Sequence, residues 1–142
     1  MNAVLVASAA ATWAMVGVIW MVQLLQYPML ARASELEPRL AAAEHARRIS
    51  WIVGPLMAVE GVTALILLAD RPETMSAAAA WGAAALLGVT LGSTALIQVP
   101  LHAALGAGHD GEVCRRLIRS NWIRTIAWTA RGIVLAVALI DL

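Results

Sequence analysis

An all-α bundle of four membrane-spanning helices is the fold class this chain predicts, and three observations predict it. Of its 142 residues, 61% are hydrophobic and 13% charged, against roughly 45–50% and 25% in soluble domains; mean hydropathy is +0.79. Four apolar runs of about 20 residues, the length that crosses a hydrocarbon core about 30 Å thick, alternate with charged segments. All ten cations are arginine, and most fall in two of the three connections. The length fits one domain. The composition excludes disorder, and a net charge of +1 offers no basic surface for nucleic acid.

The first span runs from Ala3 to about Leu25, because the first charge after the amino terminus is Arg32. Ala9-Ala10-Ala11 resembles a signal cleavage site, but no basic residue precedes the run and the run continues well beyond it, so the segment is expected to stay. The second span, residues 49–69, lies between Arg48 and Asp70 and contains Glu60. The third is 77–99. The fourth, 121–140, contains Arg124 and Arg131. Helices satisfy the backbone groups that lipid leaves without partners.

Arg32, Arg39, Arg47 and Arg48 lie in the first connection, and Arg115, Arg116 and Arg119 in the third; the second has only Arg71. The positive-inside rule places these two Arg-rich connections in the cytoplasm and both termini outside. Cys114, the one cysteine, then faces the reducing side. Ser34-Glu35-Leu36-Glu37 is a capping box, and Asp110 is placed to cap a helix starting at Gly111. Helices two and four are therefore expected to extend two to three turns beyond the membrane, leaving a long uncharged turn around Gly106 and Gly108. His109 reads as a surface turn residue, and Glu44 with Arg48 as an i, i+4 pair.

Gln26-Tyr27-Pro28-Met29-Leu30 is similar to Gln98-Val99-Pro100-Leu101-His102 at an offset of 72, and Arg48-Ile49-Ser50-Trp51-Ile52 to Arg119-Ser120-Asn121-Trp122-Ile123 at 71. Two parallel two-helix repeats and chance similarity in a biased composition both stay open. Offset 71 maps Glu60 onto Arg131, which puts opposite charges at one depth near mid-membrane. A lone charge there costs on the order of 2.5–3.5 kcal/mol, so the two are expected to pair.

Arg124, Trp128 and Arg131 share one face of helix four, with Asn121 at its edge. Trp20, Gln23 and Tyr27 share a face of helix one, and Gln98 ends helix three. Pro55 is expected to kink helix two. Each of these residues alone reads as helix glue or an interfacial anchor. As a set they read as a site in the cytoplasmic half, since every buried donor costs free energy unless satisfied. His45 and His102 fall at similar depth on different helices, where they suit a haem or metal ion, or acid–base work. No spacing such as HxxxH or CxxC supports ligation.

Trp20-Met21-Val22-Gln23 through Tyr27-Pro28, then His45-Ala46-Arg47-Arg48 and Pro55-Leu56-Met57, resembles the layout of HemJ-type protoporphyrinogen oxidases. That resemblance implies haem binding and porphyrinogen oxidation. The family carries a histidine in its first helix, and this chain has none there. Val99-Pro100-Leu101-His102 to Asn121-Trp122-Ile123-Arg124-Thr125 resembles the anthrone-oxygenase-like membrane family, which implies an oxygen-dependent enzyme acting on an apolar aromatic compound.

The residues and resemblances together predict a small membrane oxidoreductase, of oxidase or oxygenase type, for an apolar ring-containing substrate that enters from the bilayer. His45, His102, Asn121 and Arg124 are the catalytic candidates. Tyr27, Gln23, Gln98, Trp128, Glu60 and Arg131 are the substrate-binding candidates. His45 and His102 are the candidate ligands of a haem or metal ion. The partners expected are the lipid bilayer, an apolar small molecule, and a second copy or a larger membrane complex. Two alternatives stand beside this one. In the first, the chain is an accessory or assembly subunit using the small residues Ala77–Ala80, Gly82, Gly88 and Gly92 as helix contacts. In the second, it is an oligomerising transporter or channel fragment.

Overall fold

The computed structural model describes residues 3–29, 38–108 and 110–140, and side chains within the second helix from Glu44 onward. Four long helices account for nearly all of it: α1 (Ala3–Met29), α2 (Pro38–Ala69), α3 (Ala77–Ala107) and α4 (Gly111–Ile140). All four carry a stretch long and apolar enough to cross a membrane, which makes the molecule an integral membrane bundle. At 1.5 Å per residue α1 alone reaches roughly 40 Å. The expected extensions of helices two and four are present, and α2 runs unbroken through Pro55. The turn between α3 and α4 is shorter than expected. Helix α3 continues to Ala107, past the predicted end near Val99 and through Pro100. Asp110 then accepts from the amides of Glu112 (2.8 Å) and Val113 (3.4 Å), as expected of a cap. The capping box Ser34–Glu37 and His109 lie outside the described residues.

The helices pack as a square. Helix α1 touches α2 and α4 along its length, and α3 touches the same two. Buried layers stack along the bundle axis. Leu5, Leu67, Met75 and Leu135 fill the end holding the α2–α3 turn. A polar layer around Glu60 and Arg131 follows, then Met15, Val16, Ile19 and Trp128. Val22, Tyr27, Leu105, Cys114 and Leu117 close the Arg-rich end. In lipid no hydrophobic drive distinguishes one apolar helix face from another, so close packing and buried polar bonds specify the pairing.

The Glu60–Arg131 pair expected from the repeat offset forms, with Nε 3.3 Å from Oε1 and both side chains at 1% exposure or less. Thr12 donates to Glu60 Oε1 at 2.7 Å and Trp128 Nε1 to Oε2 at 3.0 Å. Arg131 donates to Thr12 Oγ1, the Ala83 carbonyl and Ser8 Oγ at 3.1, 2.7 and 3.1 Å. The cluster ties all four helices together at one level and satisfies both charges.

Two π-helical turns, Val22–Gln26 in α1 and Thr94–Gln98 in α3, are the feature that the α-helical reading of the spans missed. They begin 72 residues apart, the same offset as the repeated Gln-x-Pro segments, and each ends two residues before a proline. A proline ring collides with the carbonyl four residues earlier in an α-helix. The widened turn moves that carbonyl, and the amides of Tyr27 and Val99 bond five residues back to Val22 and Thr94 instead. The widening also changes which residues share a face. In an α-helix, positions four apart drift by about 40° per step. Across these turns the drift is taken up, so Met15, Ile19, Gln23 and Tyr27 all stay buried in α1, and Thr94, Gln98 and His102 line one cavity in α3.

At the opposite end Ser76 caps α3, accepting from the Ala79 amide at 3.1 Å. Ser76→Ala is expected to lower stability by about 1 kcal/mol, read from the midpoint of unfolding in mixed detergent micelles, with Ser76→Asp near wild type.

Candidate functional site

A cavity of about 550 Å³ opens among the helices in the Arg-rich half. Its body is apolar: Met15, Val18, Ile19 and Val22 from α1, Ile49, Val53 and Met57 from α2, and the ring of Trp128 from α4. Polar groups converge from all four helices: Tyr27, His45, Thr94, Gln98, His102 and Arg124. An apolar pocket with a few convergent polar groups is the general form of a small-molecule site.

Arg124 organises that polar end. Its Nε and Nη2 donate to Asn121 Oδ1, Nη1 to Thr94 Oγ1 at 3.3 Å, and Nη2 to the Tyr27 oxygen at 3.1 Å. Asn121 in turn donates to Gln23 Oε1 at 2.8 Å, and Gln23 donates to the Ile118 carbonyl at 3.2 Å. The guanidinium is thereby locked in one orientation, with one of its five N–H groups left without an acceptor among the described residues.

The rings of Tyr27, His45 and His102 form a near-equilateral triangle. Centroids are 5.4 Å apart between the imidazoles, and the phenol is 5.8 Å from each. The Tyr27 oxygen lies 3.2 Å from His102 Nε2 and 3.4 Å from Gln98 Oε1. Gln98 Nε2 donates to Ser120 Oγ at 2.9 Å, and Ser120 to the Leu117 carbonyl.

Hydrogen-bond satisfaction decides the tautomer. If Tyr27 donated to His102, Gln98 Oε1 would be left bare and His102 would bury an unpaired Nδ1–H. If Tyr27 donates to Gln98, His102 Nε2–H donates to the Tyr27 oxygen and the one group left over is the lone pair on His102 Nδ1. A bare acceptor costs less than a bare donor, so the second arrangement holds. His102 Nδ1 is in fact buried with no hydrogen-bond partner among the described residues. The ring is fixed by Tyr27, lines the cavity, and keeps Nδ1 without a partner among the described residues.

The other candidates fall in three places. Gln23 and Asn121 stand behind Arg124 and do not line the cavity. Glu60 and Arg131 lie one layer deeper, outside the lining, with their polar atoms engaged by protein. Trp20 turns outward, stacking edge-on against Trp122 at 5.6 Å and donating to Thr129 at 3.1 Å. Thr94 and Ser120 were absent from the candidates; Thr94 is reached only through the π-helical turn, and Ser120 only through Gln98. Glu44 pairs with Arg48 as expected, at 2.5 Å, and also with Arg47 at 2.9 Å, on the exposed surface.

The residues present do not fit a haem held between the two histidines. Axial imidazoles with metal–nitrogen bonds of about 2.0–2.1 Å put ring centres about 6 Å apart or more across the macrocycle. Here they are 5.4 Å apart and tilted by 30°, and His102 Nε2 is spent on Tyr27. For a metal ion, no group of three His, Cys, Asp or Glu side chains comes together among the described residues.

The site defines a class, a mostly apolar cavity inside a membrane bundle with polar side chains gathered at one end. The chain matches no family model, and no curated protein or solved structure is detectably similar to it.

Proposed function

We propose that this chain is an integral membrane enzyme of oxidase or oxygenase type that binds an apolar, ring-containing substrate and draws a proton from it. The observation that carries the reading is the imidazole of His102, which lines a 550 Å³ apolar cavity with Arg124 at its polar end and whose buried Nδ1 has no hydrogen-bond partner among the described residues. A proton from a substrate hydroxyl or acidic ring C–H passes to Nδ1, and the electron pair stays on the substrate as an anion. Arg124 stabilises that anion in a site shielded from water. Molecular oxygen, the oxidant that the anthrone-oxygenase-like resemblance implies, then adds to the ring carbanion to form a C–O bond; the peroxide takes the proton back from His102, and loss of water breaks the O–O and C–H bonds to leave a ring ketone, so that one oxygen atom stays in the product and the other leaves as water. Tyr27 and Gln98 keep His102 in the reactive tautomer, and His45 flanks the same space.

We further propose that the Arg-rich end faces the cytoplasm, on the positive-inside rule. The exposed Arg47, Arg48 and Arg115 are all at that end. An accessory-subunit reading is favoured by one feature, the outward-facing Gly82 and Gly88 of α3, beside whose Cβ positions nothing packs. Purification with a fixed larger partner would decide for it.

The enzyme reading is tested on the purified chain in nanodiscs, with anthrone as the probe. Oxygen uptake above the protein-free rate is expected. Uptake equal to that of empty nanodiscs, with anthrone unbound, would falsify the reading.

A further inference from the structure

The cavity has one open side, identified by the lining residues that are themselves exposed. None belongs to α1 or α4, where Met15, Ile19, Val22, Tyr27, Arg124 and Trp128 are all buried. The exposed lining residues are Ser50 and Gly54 on α2 and Val99 and Ala103 on α3. All four lie inside spans long and apolar enough to cross a membrane. Their outward neighbours are apolar and exposed, with Trp51 and Leu96 both at 79%. The opening therefore lies on an apolar outer face between α2 and α3, and three of its four lip residues are small. At Gly54 an added Cβ meets nothing within 4 Å.

Volume limits what fits behind this opening. At the ~30 Å³ that a water-sized group occupies in a liquid, 550 Å³ holds roughly 18 non-hydrogen atoms. That is room for a substituted ring and the first few carbons of a chain. A longer chain must pass out between α2 and α3, where it stays in lipid and loses nothing by doing so. The polar group of the ring, by contrast, finds donors only at the Arg124 end.

We infer that the ligand is a tailed amphiphile, one polar ring bearing a long hydrocarbon chain, which enters sideways from the bilayer between α2 and α3 and leaves its chain in the lipid. This rests on the reading of the cavity as a ring-binding site and adds the route and the substrate class.

The test uses the full chain in nanodiscs and two probes, para-decylphenol and para-methylphenol, with binding corrected for partition into empty nanodiscs. Gly54→Trp fills the opening from a position where the backbone has space, and Ala103→Trp fills it from the other lip. Both are expected to weaken decylphenol binding by about tenfold or more while methylphenol stays within about twofold. Leu65→Trp, on the lipid face of α2 at 70% exposure and away from the opening, is expected to change neither. If the Trp variants leave decylphenol binding intact, or weaken both phenols equally, the lateral route is overturned while the ring site stands. If folded wild-type protein binds neither phenol, the ring site itself fails and the route with it.

Discussion

Arg131→Met is expected to destabilise the bundle by about 3–5 kcal/mol, the usual cost of removing one partner from a buried ion pair. Glu60 would be left at 0% exposure without its counter-charge, and Ser8, Thr12 and the Ala83 carbonyl would each lose their donor. Glu60→Gln alone is expected to cost a similar amount, because it leaves the guanidinium without a counter-charge near mid-membrane. The double variant Glu60→Gln with Arg131→Met removes both charges and is expected to recover most of the loss. It will not recover all of it, since a single amide oxygen replaces the two carboxylate oxygens that accept from Thr12 and Trp128. Unfolding in mixed detergent micelles, followed by helical circular dichroism, measures all three. A loss below about 1 kcal/mol for Arg131→Met, the level of an exposed pair, would show that the cluster does not clamp the helices.

His102→Ala is expected to lower turnover by about 10²–10⁴-fold, the usual contribution of a positioned general base, and to cost about 1 kcal/mol of stability through the lost hydrogen bond to Tyr27. Tyr27→Phe separates positioning from chemistry. It leaves both imidazoles in place but removes the acceptor that holds His102 Nε2–H and one partner of Arg124. A smaller fall in kcat is expected, about tenfold, from mixed tautomers, and KM should rise because Arg124 loses part of its orientation. Steady-state oxygen uptake against probe concentration reads both constants. If His102→Ala keeps near wild-type turnover while Tyr27→Phe abolishes it, the base assignment passes from His102 to Tyr27.

A haem held between His45 and His102 is disfavoured by geometry rather than by residue type. Two histidines at equal depth were legible from their distances along the chain to the spans. Ring separation and the use of Nε2 were not, because the first depends on how far apart α2 and α3 sit at that level and the second on where α1 places Tyr27. The same holds for Gln23 and Asn121. Their placement on polar helix faces was legible, but their position behind Arg124 rather than against the cavity follows from which helix each face meets. Trp20 shows the limit of the face argument. It shares the spacing of Gln23 and Tyr27, yet the π-helical turn starting at Val22 shifts the face and leaves it on the outer surface.

Composition and charge order determined the coarse answer on their own: four helices, each long and apolar enough to span a membrane. A bilayer permits few ways to satisfy backbone polar groups, so apolar run length alone is decisive. The Glu60–Arg131 pair was also legible, because two opposite charges at one depth have no cheaper arrangement in lipid than each other. Only the tertiary structure decided the π-helical turns, the tautomer of His102, the exclusion of Glu60 and Arg131 from the cavity, and the side on which the cavity opens. Each depends on the sub-helical rotation of one helix against another. In an environment where every helix face is apolar, one-dimensional hydrophobic patterning carries almost no information about that rotation.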